Sequence, residues 1–542
     1  MKKKIKYAEF PDMNTVKDIV IFGGKKGADK PQYTFYNFDG EVEMKTFAQV
    51  NYDLTGLGQY LYKLGLRGKK VAILSENSYY WIACYFSIIT GKITAVPMDP
   101  KLPDDDIIDI MIRSGCNAIY YSEDFKDTVE KMKKTDGVVI EQYIKIEDFY
   151  SMVEEGHNEV KNGVESYLED EVLPSDLAFL VYTSGTTGKS KGVMLSQENV
   201  AADSVASCRV MTGGPAIGFL PLHHAFSWVG ALFSGNLLTE WGFICRSLKD
   251  IQKDMNTYHP QNFSAVPLAV ETIYKKIWFT AKKSGREEML KKGLKISNFL
   301  LKLGIDKRRK IFSEILNNLG GNLEMIVCGG AYLDEQYEKG MEAFGIKIIN
   351  GYGITECSPA VTCNRLDAYK VGSVGIPLPC NEIKIKDPDE DGIGEICVKG
   401  KNVMVGYYND PEATAEVFDG DWFLTGDYGY IDEDGFLFFK GRKKNLIILS
   451  NGKNVSPEEI EDKLSTIDYV KEVVVYEEKG YITAEFFLDT VEAPDAKGRI
   501  KADVNEINRK MPSYKQVTRI KTRDSEFPKT TTLKILRDYK NK

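Results

Sequence analysis

Short apolar runs punctuate the first two thirds of the chain. Residues 71–74, 93–97, 118–121, 177–182, 217–222, 263–266, 323–328 and 346–349 are rich in β-branched and other apolar side chains, and longer helix-like segments separate them. This alternation predicts an α/β fold with largely parallel sheets, in which ligand loops sit at the carboxyl ends of strands. Two runs end that way: 177–182 leads into a Gly-rich loop, and 346–349 into Asn350, Gly351, Tyr352 and Gly353. Residues 79–90 are the most apolar helix-like stretch, too short to span a bilayer and read as a buried helix. After Arg365 the texture changes to short turn-rich segments, which predicts a β-rich subdomain over about 366–440. A last unit, 441–542, reads as a strand at 445–449, a turn at Asn451 and Gly452, a helix opened by Ser456, two strands around Lys479 and Gly480, then a helix and a strand. Ser456 caps that helix, Pro457 fills its first turn and Glu459 follows three residues on.

Composition narrows the picture. At 542 residues the chain is too long for one core, so several lobes are expected. A net charge of −8 argues against general affinity for nucleic acid. The nine cysteines show no Cys-x-x-Cys spacing, so neither a zinc site nor a disulfide framework is indicated. His223 and His224 are neighbours and, on an extended chain, would point apart and chelate poorly. The first ten residues are basic without an apolar segment, so no signal peptide is read and a cytoplasmic setting with reduced thiols is expected. From Lys275 to Lys310 thirteen Lys or Arg face three acids, with an apolar stripe at Ile296, Phe299, Leu300 and Leu303. Such a stretch suits either a solvated helical face over the core or peripheral contact with an anionic membrane surface.

Chemistry concentrates in Tyr182 to Gly192. This segment packs three glycines, a run of hydroxyl residues and two lysines behind an apolar strand. Glycines let backbone N–H groups turn inward, while hydroxyls and lysines add donors and positive charge, which makes a surface for polyphosphate. The Walker spacing fails, because the required first glycine is Thr183. Four further clusters follow in order: 350–356, 424–427, 440–445 and 528–534.

Together these clusters resemble the adenylate-forming superfamily of acyl-CoA synthetases, aryl-CoA ligases, luciferases and adenylation domains, over about residues 47–537. The resemblance implies a large N-terminal domain, 1–440, of two αβ lobes plus the β-rich subdomain, and a small mobile α+β C-terminal domain, 441–542, hinged at Lys444. It implies that Thr183, Ser184, Gly185, Thr186, Thr187, Gly188 and Lys191 hold the β- and γ-phosphates of ATP. The family usually has Pro before that lysine; this chain has Ser190. Tyr352 and Gly353, with Gly330 and Ala331, match the adenine edge. Thr355 matches the α-phosphate hydroxyl, and Glu356 the carboxylate on Mg²⁺. Asp427 and Arg442 match the ribose contacts, and His224 and Phe226 the lining of the acyl channel. Lys534 matches the lysine at the reacting carboxylate, with Leu533 where the family commonly has Gly. Gly452, between Asn451 and Lys453, lies where the family approaches CoA.

The implied reaction is ATP- and Mg²⁺-dependent activation of a carboxylic acid to an acyl-adenylate, then transfer to CoA. The insert at about 275–321 resembles that of long-chain fatty acyl-CoA synthetases, which makes a long-chain fatty acid the expected substrate. Three alternatives stay open: a carrier-protein thiol as acceptor, an aryl or medium-chain acid, and a nucleotide-binding regulator without catalysis.

Overall fold

The structure is a computed structural model that describes residues 9–183, 190–245, 250–448, 454–491, 493–529, 535 and 537. The described residues form a mixed α/β protein of two compact units: 1–383 with 398–423, and 384–397 with 424–542.

Two large sheets build the first unit. The seven-stranded sheet runs in spatial order Gly406–Tyr407, Lys191–Ser196, Leu177–Thr183, Thr94–Pro97, Lys70–Leu74, Ala118–Tyr121 and Gln142–Lys145. Its last five strands are mutually parallel, and Lys191–Ser196 returns antiparallel to Leu177–Thr183. The nine-stranded sheet runs Ile376–Pro377, Ala360–Cys363, Lys347–Gly353, Met325–Cys328, Asn262–Ala265, Ala216–Gly218, Gly242–Ile244, Pro31–Tyr36 and Val42–Thr46. Its six central strands, from Lys347–Gly353 to Pro31–Tyr36, are parallel. Each apolar run predicted as a strand contributes to one of these sheets, and the α/β fold class holds.

The differences in detail have physical causes. The run 217–222 pairs only as Ala216–Gly218, because Asn77 takes the backbone beyond it: its Nδ2 donates to Leu220 O at 2.8 Å and its Oδ1 accepts from Leu222 N at 2.9 Å. The segment 350–353, read as a loop, is strand: Gly351 and Tyr352 pair with Cys363 and Thr362 across an antiparallel ladder. The edge strands Val42–Thr46 and Gln142–Lys145 escape the periodicity reading because each is half polar.

The helix Tyr79–Ile89 is buried at every position, capped by Ser78 accepting from Trp81 N. It starts an aromatic stack that runs into the site: Trp81 on Tyr85 at 4.8 Å, Tyr85 on Phe179 at 5.2 Å, and Phe179 on Trp228 at 4.5 Å. Phe179 lies on the strand that ends at Thr183, and Trp228 follows His224 and Phe226. Trp228 Nε1 donates to Leu222 O at 2.7 Å, which closes the turn carrying both histidines. That turn corrects the expectation that the two histidines point apart: their ring centroids lie 4.4 Å from each other.

The basic stretch folds as two helices, Pro267–Lys283 and Glu287–Lys302. Leu290 and Leu294 pack inward with Phe312 and Phe344. Of the predicted apolar stripe Leu300 is half-buried and the other three members are exposed. Ile296, Phe299 and Leu303 are 56%, 62% and 60% exposed, with Met289 and Phe279 exposed beside them. Among the described residues no helix is long and apolar enough to cross a membrane.

The second unit carries the antiparallel pairing of Trp422–Ile431 with Leu437–Arg442, then Ile447–Ile448 paired with Asn454–Val455. The helix Pro457–Ser465 follows, with Ser456 as its cap, accepting from Glu459 N. Val470–Glu478, Tyr481–Leu488 and Arg519–Arg523 form a three-stranded sheet, with Ala496–Asn508 helical between the last two.

Candidate active site

The Gly-rich segment is anchored at both ends by strand. Thr183 closes Leu177–Thr183 and pairs directly with Lys191, the first residue of the returning strand. Ser184, Gly185, Thr186, Thr187 and Gly188 lie outside the described residues. Arg113, on the helix Asp104–Ser114, fastens the exit of the loop. Its Nη1 donates to Ser190 O at 2.6 Å and its Nη2 to Ser190 Oγ at 2.7 Å. Its guanidinium also lies 4.9 Å from the ring centroid of Tyr182, just before the loop. Ser190, which replaces the family's usual proline, is therefore held by a charge-assisted clamp.

The second cluster stands at the end of the neighbouring large sheet. Tyr352 is 8% exposed on the strand Lys347–Gly353, which ends at Gly353, where a Cβ would stand 2.2 Å from Pro359 O. Thr355 and Glu356 begin a single 3-10 turn, Thr355–Cys357. That turn is tied down from residues 402–407. Met404 N donates to Glu356 O at 2.8 Å, and Asn402 Nδ2 donates to Cys357 O at 3.0 Å and to Ala360 O at 2.7 Å. Asn402 Nδ2 also lies 3.3 Å from Asp203 Oδ1. Asp203 is fully buried, and burial pushes its carboxyl well above the usual carboxylate range. Tyr407 completes the arrangement: its hydroxyl donates to Glu356 Oε1 at 3.0 Å, and Lys191 Nζ lies 4.8 Å from its ring centroid.

Gly330 follows the strand Met325–Cys328 at φ +85°, a left-handed conformation that suits glycine, and Ala331 next to it is exposed. A Cβ placed on Gly329 would stand 3.5 Å from both Gly351 O and the Phe226 ring, so strand end, glycine turn and aromatic side chain abut. His224 caps the short turn Ala225–Ser227. His223 Nε2 lies 3.5 Å from Asp99 Oδ2. Next to Leu222, a largely apolar cavity is lined by Ile82, Leu232, Leu238, Phe243 and Ile244, with Glu240 as its charged member.

In the second unit, Asp427 and Arg442 are direct cross-strand partners. Arg442 Nε stands 2.8 Å from Asp427 Oδ1, and Asp427 is 1% exposed. Lys444 is exposed on a 3-10 turn, Lys443–Asn445. Gly452, with Asn451 and Lys453, and Lys534, with Leu533, lie outside the described residues.

The structure thus brings Thr183, Lys191, Thr355 and Glu356 together through Tyr407 and its strand, and sets Gly329, the neighbour of Gly330, beside Phe226. Arg113, Asn402 and Tyr407 were missed by sequence reasoning. Only Arg113 left a local signal, an Asp109–Arg113 pair at helical spacing.

The AMP-binding enzyme family matches residues 24–408, and the AMP-binding enzyme C-terminal domain matches residues 444–541. The chain belongs to the AMP-binding enzyme family. Among the family's curated members, it is 30% identical over 491 residues to mouse long-chain-fatty-acid–CoA ligase 5, covering 83% of this chain and 71% of that protein. It is 29% identical over 556 residues to the long-chain-fatty-acid–CoA ligase of Escherichia coli O6:H1, covering 94% and 91%. Among solved structures, o-succinylbenzoate coenzyme A synthetase from Bacillus subtilis, in complex with ATP and magnesium ion, matches with a TM-score of 0.74 at 23% identity, over 97% of this chain and 99% of that one. The chain therefore has the family's adenylate-forming fold.

Proposed function

We propose that the chain converts a long-chain fatty acid, ATP and CoA into acyl-CoA, AMP and pyrophosphate. In the first half-reaction a carboxylate oxygen attacks the α-phosphorus and pyrophosphate leaves. In the second, a thiolate attacks the acyl carbonyl and AMP leaves. The protein's task in both is positioning and charge neutralisation rather than covalent work.

On this reading Thr183, Lys191 and the 184–188 loop take the β- and γ-phosphates, and Thr355 the α-phosphate. Tyr352, Gly353, Gly330 and Ala331 take the adenine, and Asp427 and Arg442 the ribose. Lys534 reaches the reacting carboxylate, His224 and Phe226 border the acyl group, and Gly452 approaches CoA. Among the described residues no three His, Cys, Asp or Glu side chains gather as a metal cage. Glu356 alone fits Mg²⁺ that arrives on a polyphosphate, since that cation takes one or two carboxylates and completes its shell with phosphate and water oxygens. When bound, Mg²⁺ would neutralise charge on the departing pyrophosphate.

The apolar cavity lined by Leu222, two residues before His224, supports an acid with an apolar tail. An alkyl chain gains from leaving water for such a lining at about 0.8 kcal/mol per buried CH₂. The naming of the curated relatives as long-chain-fatty-acid–CoA ligases supports a long-chain acid. The exposed apolar stripe amid the lysines of Glu287–Lys302 further supports peripheral contact with an anionic lipid surface, where such a substrate dissolves.

The deciding experiment is a panel of acids assayed for thioester and AMP with CoA. The expected result is kcat/KM rising with alkyl length from short to long chains. Faster turnover of o-succinylbenzoate or another aryl acid would replace the acid class. Pyrophosphate release without a CoA thioester would move the acceptor to a carrier-protein thiol. ATP binding without turnover on every acid would reduce the chain to a nucleotide-binding regulator.

A further inference from the structure

Tyr407 is 8% exposed and touches two groups of opposite charge. Its hydroxyl donates to Glu356 Oε1 at 3.0 Å, and Lys191 Nζ lies over its ring, 4.8 Å from the centroid. The side chain is fixed from several sides by backbone. Gly406 and Tyr407 pair with Met194 and Val193, Tyr408 N donates to Gly192 O at 2.7 Å, and Val405 N donates to Met194 O at 2.9 Å. Tyr407 N donates to Thr414 Oγ1 at 2.9 Å, and Met404 N, three residues earlier, holds the backbone of Glu356 itself.

Two physical consequences follow. A carboxylate that accepts a buried hydroxyl at Oε1 has its rotamer fixed and keeps Oε2 for another partner. A lysine seated on an aromatic face keeps its charge while its flexible stem is held in one place. We propose that Tyr407 is a positioning residue that sets the Glu356 carboxylate for Mg²⁺ and seats Lys191 for the phosphates of ATP. The hydroxyl serves the carboxylate and the ring serves the lysine. This proposal rests on the reading of Glu356 and Lys191 given above.

The test measures ATP binding by calorimetry, with Mg²⁺ and with EDTA, on the full chain and three variants. Glu356→Gln controls the underlying reading, Tyr407→Phe removes only the hydroxyl, and Tyr407→Ala removes the ring as well. The expected result is that Tyr407→Phe loses on the order of tenfold of the Mg²⁺-dependent gain in ATP affinity, the scale of losing one outer-shell partner. Its affinity in EDTA and its melting temperature stay near wild type. Tyr407→Ala is expected to weaken ATP binding in EDTA also. If Glu356→Gln loses the Mg²⁺ gain and Tyr407→Phe keeps it, the proposal is overturned and the reading of Glu356 stands. If Glu356→Gln keeps the gain in full, the reading falls and the proposal with it. Equal weakening of Tyr407→Phe with Mg²⁺ and with EDTA would assign the hydroxyl a purely structural role and overturn the proposal as well.

Discussion

Asp203 shows how a single buried carboxyl couples to the site. Among the described residues it accepts from Asn402 Nδ2 at 3.3 Å and from Ala360 N at 3.4 Å, neither of them a cation. Its folded pKa is raised above the ordinary 3.8, because burial penalises the charged form. A carboxyl with a raised folded pKa contributes stability that is full below its unfolded pKa and is lost as pH rises through the folded value. Each unit of that rise is worth about 1.4 kcal/mol. Asp203→Asn, nearly the same shape and never ionised, is therefore expected to gain stability over wild type progressively from pH 4 upward. Denaturation midpoints across that range check it, and a constant loss at every pH would contradict the account. Contacts of this kind leave little trace in a sequence. Tyr407 and Glu356 are 51 residues apart, and Arg113 and Ser190 are 77 apart. Their meeting depends on where two strands and a helix dock, which no local pattern states. The Gly-rich segment 182–192 stands out in the sequence because its residue types are written consecutively.

At the scale of elements, short apolar runs announced the strands because fully buried parallel strands need apolar side chains on both faces. The runs were silent on the polar edge strands and on where pairing stops, as at Gly218. The helix Glu287–Lys302 was legible as amphipathic, yet periodicity alone could not say which of its apolar rows faces inward. Leu290 and Leu294 do, while Ile296, Phe299 and Leu303 face solvent. Exposed Lys292, Lys295 and Lys302 surround Phe299, and Lys283 Nζ lies 5.9 Å from the ring of exposed Phe279. On the proposed contact with an anionic lipid surface, these apolar side chains would enter the interface while the cations meet the headgroups. Phe299→Glu is expected to lower partitioning onto phosphatidylglycerol vesicles by on the order of tenfold, the worth of burying one large apolar side chain. Sedimentation with vesicles measures it. Equal binding of variant and wild type would remove this face from any membrane role.

For the whole molecule, the two half-reactions make different demands on one active site. The family resemblance assigns the change between them to a rotation about Lys444, which follows Arg442 and sits on an exposed 3-10 turn. Proline fixes φ, so Lys444→Pro is expected to slow thioester formation by on the order of tenfold, about 1.4 kcal/mol of barrier, while pyrophosphate release stays near wild type. Single-turnover measurement of each half-reaction separates them, and equal loss of both would count against a hinge there.

In the proposed reaction a carboxylate oxygen attacks the α-phosphorus of ATP. Following ¹⁸O from palmitate labelled in both carboxyl oxygens tests this directly, in a complete reaction with ATP, Mg²⁺ and CoA. Attack by the carboxylate leaves one labelled oxygen in each AMP and none in pyrophosphate. Label in inorganic phosphate, or AMP formed without label, would contradict it.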